Sequence, residues 1–110
     1  MRVKQVAFAN QGLKDAYFEL KEGKFEEKQI FDFVTRAIDD LKKDSFCGIK
    51  VPKDLWPKEY IKNYQITNLW EYNLPNAWRL TYTIIGGNIK IVSMILEWMD
   101  HKTYEKRLGY

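Results

Sequence analysis

Four residues of this sequence carry groups that could do chemistry together: Arg79, His101, Tyr104 and Arg107. A guanidinium offers a rigid fork of donors that fits the non-bridging oxygens of a phosphate. An imidazole, with an unperturbed pKa of about 6.5, gives and takes protons near neutrality. A phenol stacks on a base or donates a proton. On a helix, His101, Tyr104 and either Arg107 or Leu108 share one face at i, i+3 and i+6 or i+7.

Arg79 belongs to a different element. The stretch LPNAWRLTYTIIGGNIKIVSMILEW, residues 74–98, reads as two strands around Gly86 and Gly87. That Gly-Gly pair predicts a two-residue turn with positive φ angles. Strand alternation puts Trp78, Leu80, Tyr82 and Ile84 on one face, together with Ile89, Ile91, Ser93 and Ile95. This apolar face is expected to pack on helices. Arg79, Thr81 and Thr83 point the other way, beside Lys90, Val92 and Met94. Arg79 is therefore expected on the open side of the sheet. It is there solvated, paired with Glu71 or Glu97, or exposed in a cleft.

The remaining elements follow from periodicity. Val3, Val6 and Phe8 predict a short strand over 2–9. Leu13, Ala16, Tyr17 and Leu20 stand at i, i+3, i+4 and i+7, a helix that ends at Gly23. A second helix spans about 26–43, with Ile30, Phe33, Val34, Ala37, Ile38 and Leu41 as its buried stripe. Its acids come early and its lysines late, as the helix dipole prefers. Gly48, Pro52 and Pro57 make 44–67 irregular, with a turn of helix after Pro57. Residues 68–74 alternate like a strand, and Pro75-Asn76 turns the chain. Asp100 and Gly109 bracket a short terminal helix, with Tyr110 as a cover for the core. The order predicts an α+β fold in one domain, 1–110: a helical hairpin packed on a twisted antiparallel sheet, β-α-α-β-β-β with a short C-terminal helix.

Composition narrows the classes. Apolar residues make up 45% and aromatics 15%, enough for a core without staples. The single Cys47 excludes an internal disulfide and suggests a reducing, cytoplasmic setting. Neither a metal nor a cofactor is read from the residues, since His101 stands far from the lone thiol. No apolar run reaches the roughly 20 residues that span a bilayer. The net charge is +3, and residues 1–49 balance at nine Lys+Arg against nine Asp+Glu. The surplus lies in the half that holds the hairpin. Lys50, Lys53, Lys58 and Lys62 stand among Trp56, Tyr60 and Tyr64; Lys90 and Lys102 follow. A basic face of this kind attracts a polyanion such as RNA.

LPNAWRLTYTI followed by IKIVSMILEWMDHKTYEKRLGY, with the strand–helix–helix–three-strand order, resembles the RelE/ParE superfamily of type II toxin–antitoxin toxins. The motif likeness covers roughly the last 45 residues; over the helices only the pattern agrees. The resemblance implies a helical hairpin on a twisted antiparallel sheet and no cofactor. In the RelE branch it implies metal-free cleavage of messenger RNA on the ribosome, and a cognate antitoxin as partner. Such cleavage uses the RNA's own 2′-OH as nucleophile, and needs a proton acceptor at that hydroxyl, positive charge for the phosphorane and a donor for the leaving 5′-oxygen. Arg79 then takes the place of the arginine on the middle strand of the final meander. His101, Tyr104 and Arg107 fall where the segment after the last strand supplies further groups. On their charge, and not from the resemblance, Lys50, Lys53, Lys58, Lys62, Lys90 and Lys102 are the expected RNA contacts. The ParE branch shares the fold and acts on DNA gyrase without a nuclease site, so a non-catalytic binding protein is the alternative.

Overall fold

Asn10 ends the first strand and starts the first helix with one side chain. Its Oδ1 accepts from the Leu13 amide at 2.8 Å, satisfying one of the donors a helix leaves open at its start. The computed structural model describes residues 2–109; Tyr110, read as a cover for the core, lies outside them. Strand β1 is Val3–Phe8, followed by helices α1, Gln11–Lys21, and α2, Phe25–Lys43. Glu26 and Glu27 occupy the first turn of α2 and Lys42 and Lys43 its last. The chain then forms β2, Ile49–Lys50; a turn of 3-10 helix, Lys53–Leu55; and α3, Lys58–Tyr64. Strands β3, Trp70–Asn73, β4, Arg79–Gly86, and β5, Lys90–Met99, precede helix α4, His101–Leu108.

The fold is α+β: the described residues form four α-helices and a five-stranded sheet in the order β1-β5-β4-β3-β2. The antiparallel expectation needs a correction. β2 to β5 pair antiparallel, but β1 lies parallel to β5, with Val3 beside Lys90 and Phe8 beside Ile95. The sheet is mixed. Apolar alternation states which face of a strand is buried and says nothing of the direction of its neighbour.

The hairpin between β4 and β5 also differs from expectation. Gly86 pairs with Ile91, and the Gly87 amide donates to the Lys90 carbonyl at 2.9 Å, so the tip is Asn88-Ile89. Among the described glycines, only Gly109 has a positive φ. The new register sits four residues from the predicted one. Four is even, so the face assignments survive. Ile89 is the exception: it stands at the tip, 80% exposed.

Two cores flank the sheet. On one face α1 and α2 cover Leu80, Tyr82 and Ile95 with Tyr17, Val34, Ala37 and Leu41. The other face, expected to be open, is largely covered. Val51, Tyr60, Ile66 and Leu69 from the segment read as irregular meet Leu96 and Met99 of β5 and Tyr104 and Leu108 of α4. Burying each such Leu or Met contributes about 1.5–3 kcal/mol, which holds α4 against the sheet. Thr81 and Thr83 lie buried beneath this layer. Arg79 stands at an accessible end of that face.

Candidate active site

The accessible end is where β3 stops, β4 begins and β5 hands over to α4. Arg79, the first residue of β4, pairs across the sheet with Asn73 and Met99, the last residues of β3 and β5. Asp100 makes the handover. Its carboxylate accepts from the Thr103 amide at 2.8 Å, ending β5 and capping α4. That bond holds the exposed Asp100 carboxyl below the usual carboxylate range. His101 is consequently the first helical residue, and Tyr104 follows on the next turn.

Arg79, His101 and Tyr104 line one pocket of about 290 Å³, together with Glu71 and Glu105. The Arg79 guanidinium carbon lies 5.5 Å from the centroid of the buried Tyr104 ring, a cation–π contact that sets its place. Arg79 Nη1 donates to the Trp78 carbonyl at 3.2 Å. Among the described residues Arg79 forms no ion pair, so its charge is left for a bound anion. His101 is exposed at the mouth and pairs through Nε2 with Glu105, one turn along α4.

From the sequence, Glu71 is expected only as a pairing partner for Arg79, not as a site residue. It sits on β3 opposite Thr81, on the same face as Arg79. Its Oε2 is buried without a hydrogen-bond partner among the described residues. Burial raises its carboxyl pKa, and the nearby Arg79 charge pulls the other way. A partly buried carboxylate with a free oxygen is a competent proton acceptor. The sequence signal for it was present in the alternation of 68–74, but its partner across the sheet had to be known first.

A carboxyl with a pKa higher in the folded than in the unfolded chain holds its proton more tightly when folded. It favours the fold at low pH, and that contribution is lost as pH rises through the folded value. Glu71→Gln should therefore raise the melting temperature more at pH 7 than at pH 4. Thermal unfolding followed by circular dichroism at the two pH values measures this; an equal effect at both rejects it.

Arg107 does not join the pocket. Its Nη2 donates to Glu97 Oε1 at 2.7 Å, and its guanidinium lies 5.6 Å from the Tyr60 ring centroid. Tyr60 is buried, not free to stack on a base, and its hydroxyl donates to the same Glu97 oxygen at 2.6 Å. The Tyr60 oxygen also lies 2.9 Å from Thr81 Oγ1. Burial first, then the Glu97 charge, pushes the Tyr60 pKa up. This cluster ties α3 and α4 to the sheet. Arg107→Ala should cost about 1–2 kcal/mol, because it strips Glu97 of a charged donor while the pair remains partly solvated. Urea unfolding checks the value.

Lys50, Lys53, Lys58, Lys62, Lys90 and Lys102 are all exposed, and none lines the Arg79 pocket. Lys50 lies on the edge strand β2, Lys53 in the 3-10 turn and Lys58 and Lys62 on α3. Lys90 stands by the hairpin tip and Lys102 in the first turn of α4. Among the described residues no three His, Cys, Asp or Glu side chains gather as a metal-holding set, and no helix is long and apolar enough to cross a membrane. The chain matches no protein family, no curated protein and no solved structure.

Proposed function

We propose that this chain is a RelE-like toxin of a type II toxin–antitoxin system, a metal-free endoribonuclease that cuts messenger RNA on the ribosome and inhibits translation. The observation that carries the reading is the convergence of Arg79, His101, Tyr104 and Glu71 on one pocket. A carboxylate, a guanidinium and an imidazole supply the three needs of 2′-OH attack. Glu71 takes the proton from the 2′-OH as its oxygen bonds to phosphorus. Arg79 holds the non-bridging oxygens as charge builds on the phosphorane. The P–O5′ bond breaks, and protonated His101 gives its proton to the leaving oxygen. The products are a 2′,3′-cyclic phosphate and a 5′-hydroxyl. Tyr104, held beneath Arg79, supports the guanidinium. Arg107 acts through the position of α4, and the exposed lysines attract RNA or ribosome. The setting is the cytoplasm, and a cognate antitoxin is the partner.

Cell-free translation with mapping of transcript ends tests the reading. The wild-type protein should produce cuts at codon positions, and His101→Ala should weaken them. Intact message with inhibited gyrase supercoiling would replace this reading by the ParE-like, non-catalytic one.

A further inference from the structure

A second cavity, of about 450 Å³, opens between the start of α1, α3 and β5, and shares no residue with the Arg79 pocket. Its volume falls within the roughly 300–1,000 Å³ of ordinary ligand pockets. The Glu97–Arg107 pair lines it. Among the described residues both hydrogen bonds to the Glu97 carboxylate end on Oε1, from the Tyr60 hydroxyl and from Arg107 Nη2. Oε2 of Glu97 is left to accept from a bound molecule, and Arg107 Nη1 is left to donate. The two groups are fixed side by side, since Tyr60 is buried and holds the carboxylate. At the rim, the Tyr64 hydroxyl accepts from Asn10 Nδ2 at 3.0 Å, which steadies the ring as an aromatic wall. Asn63, exposed on α3, adds an amide.

We propose that this cavity binds a guanine-type nucleobase. A fixed acceptor beside a fixed cationic donor matches the guanine edge, where an oxygen acceptor adjoins N–H donors. Adenine sets a lone pair against the carboxylate, and a free phosphate meets the Glu97 charge. The Tyr64 ring provides stacking, and Glu59 and Glu97 outnumber Arg107 in the lining, so the site selects a neutral polar ring over an anion. Such a base belongs either to the RNA strand cut at the Arg79 pocket, in which case the inference extends the proposed function, or to a free nucleotide.

Titration of the whole protein with GMP, AMP, CMP and UMP, read by backbone amide shifts, tests the assignment without a ribosome. GMP should bind at least about tenfold tighter than AMP, the discrimination expected of a good paired contact. The shifts should centre on residues 10–13 and 59–64. Competition by a guanine-containing oligonucleotide assigns the base to an RNA strand; GMP binding without such competition assigns it to a free nucleotide. Glu97→Gln should erase the preference for GMP. Because Glu97 also holds Tyr60, a second variant, Ala16→Phe, fills the cavity from α1 and leaves that cluster intact; it should abolish GMP binding with the fold unchanged. Equal binding of all four nucleotides, no binding, shifts elsewhere, or GMP binding that survives Ala16→Phe each overturns the assignment. A chain that binds GMP here and cuts no message rejects the ribonuclease alone. One that cuts message and ignores GMP rejects the base site alone.

Discussion

Arg79→Ala should slow message cleavage by about 10²–10³-fold, the cost of removing one preorganised donor from a developing oxyanion. The guanidinium is poised for that role. It is held from one side by the Tyr104 ring at 5.5 Å and from another by the Trp78 carbonyl, and among the described residues no acid forms an ion pair with it. Arg79→Lys should recover little of the rate. An ammonium is a point charge without the fork that spans two phosphate oxygens. The effect should sit in the rate of bond cleavage and not in stability. Arg79 is half-buried and forms one backbone hydrogen bond, so its loss should move the melting temperature by only a few degrees. Single-turnover cleavage on programmed ribosomes, beside thermal unfolding of the same variants, separates the two. Equal cleavage by Arg79→Ala and the wild-type protein would remove the guanidinium from the chemistry.

The approach of Arg79, His101 and Tyr104 was legible in the sequence because each part of it is local. Alternation set the face of Arg79, and the Asp100 cap set the start of α4. One turn of helix then brought Tyr104 over the sheet. Glu97 shows where local reasoning stopped. Strict alternation from Ile95 puts Glu97 on the same face, toward α1 and α2. In the sheet Thr81 pairs with Glu97 while Tyr82 pairs with Ile95, so Leu96 is an extra residue on β5. This bulge reverses the phase of everything after it. Glu97 turns to the opposite face to meet Tyr60 and Arg107, and Trp98 turns back to pair with Leu80. A bulge has no reliable sequence mark at Leu96, so the pairing of Glu97 with Arg107 could not be read from alternation. The second core was hidden for a related reason. Val51, Tyr60, Ile66 and Leu69 lie among prolines and short turns, with no period of 2 or 3.6 to announce a buried face.

Gly48 has a larger part than that of a helix breaker. A Cβ at this position would stand 2.5 Å from the Glu71 carbonyl oxygen and 2.6 Å from the Tyr82 hydroxyl. Neither neighbour yields easily. The Tyr82 side chain is fully buried, and its hydroxyl donates to the Ser45 carbonyl at 2.9 Å while accepting from the Gly48 amide at 3.1 Å. The Glu71 backbone is held between β2 and β4, paired with Ile49 on one side and Thr81 on the other. Gly48→Ala must therefore push the 45–50 segment off the sheet or break the Tyr82 bonds. Overpacking costs about 1–3 kcal/mol and an orphaned buried hydroxyl a similar amount, so a loss of about 3 kcal/mol is expected. For a chain of this length that lowers the melting temperature by about 12–24 °C. Gly87→Ala is the control: its Cβ would meet only the Lys90 carbonyl, at 3.6 Å, and its φ is not positive, so the melting point should barely move. The strain passes to the site through one residue, because the carbonyl that crowds Gly48 belongs to Glu71. In Gly48→Ala the carboxylate should lose its place beside Arg79, and cleavage should fall even at temperatures where the variant is folded. A variant as stable as the wild-type protein would mean that β2 does not press on β3 as closely as the backbone distances require.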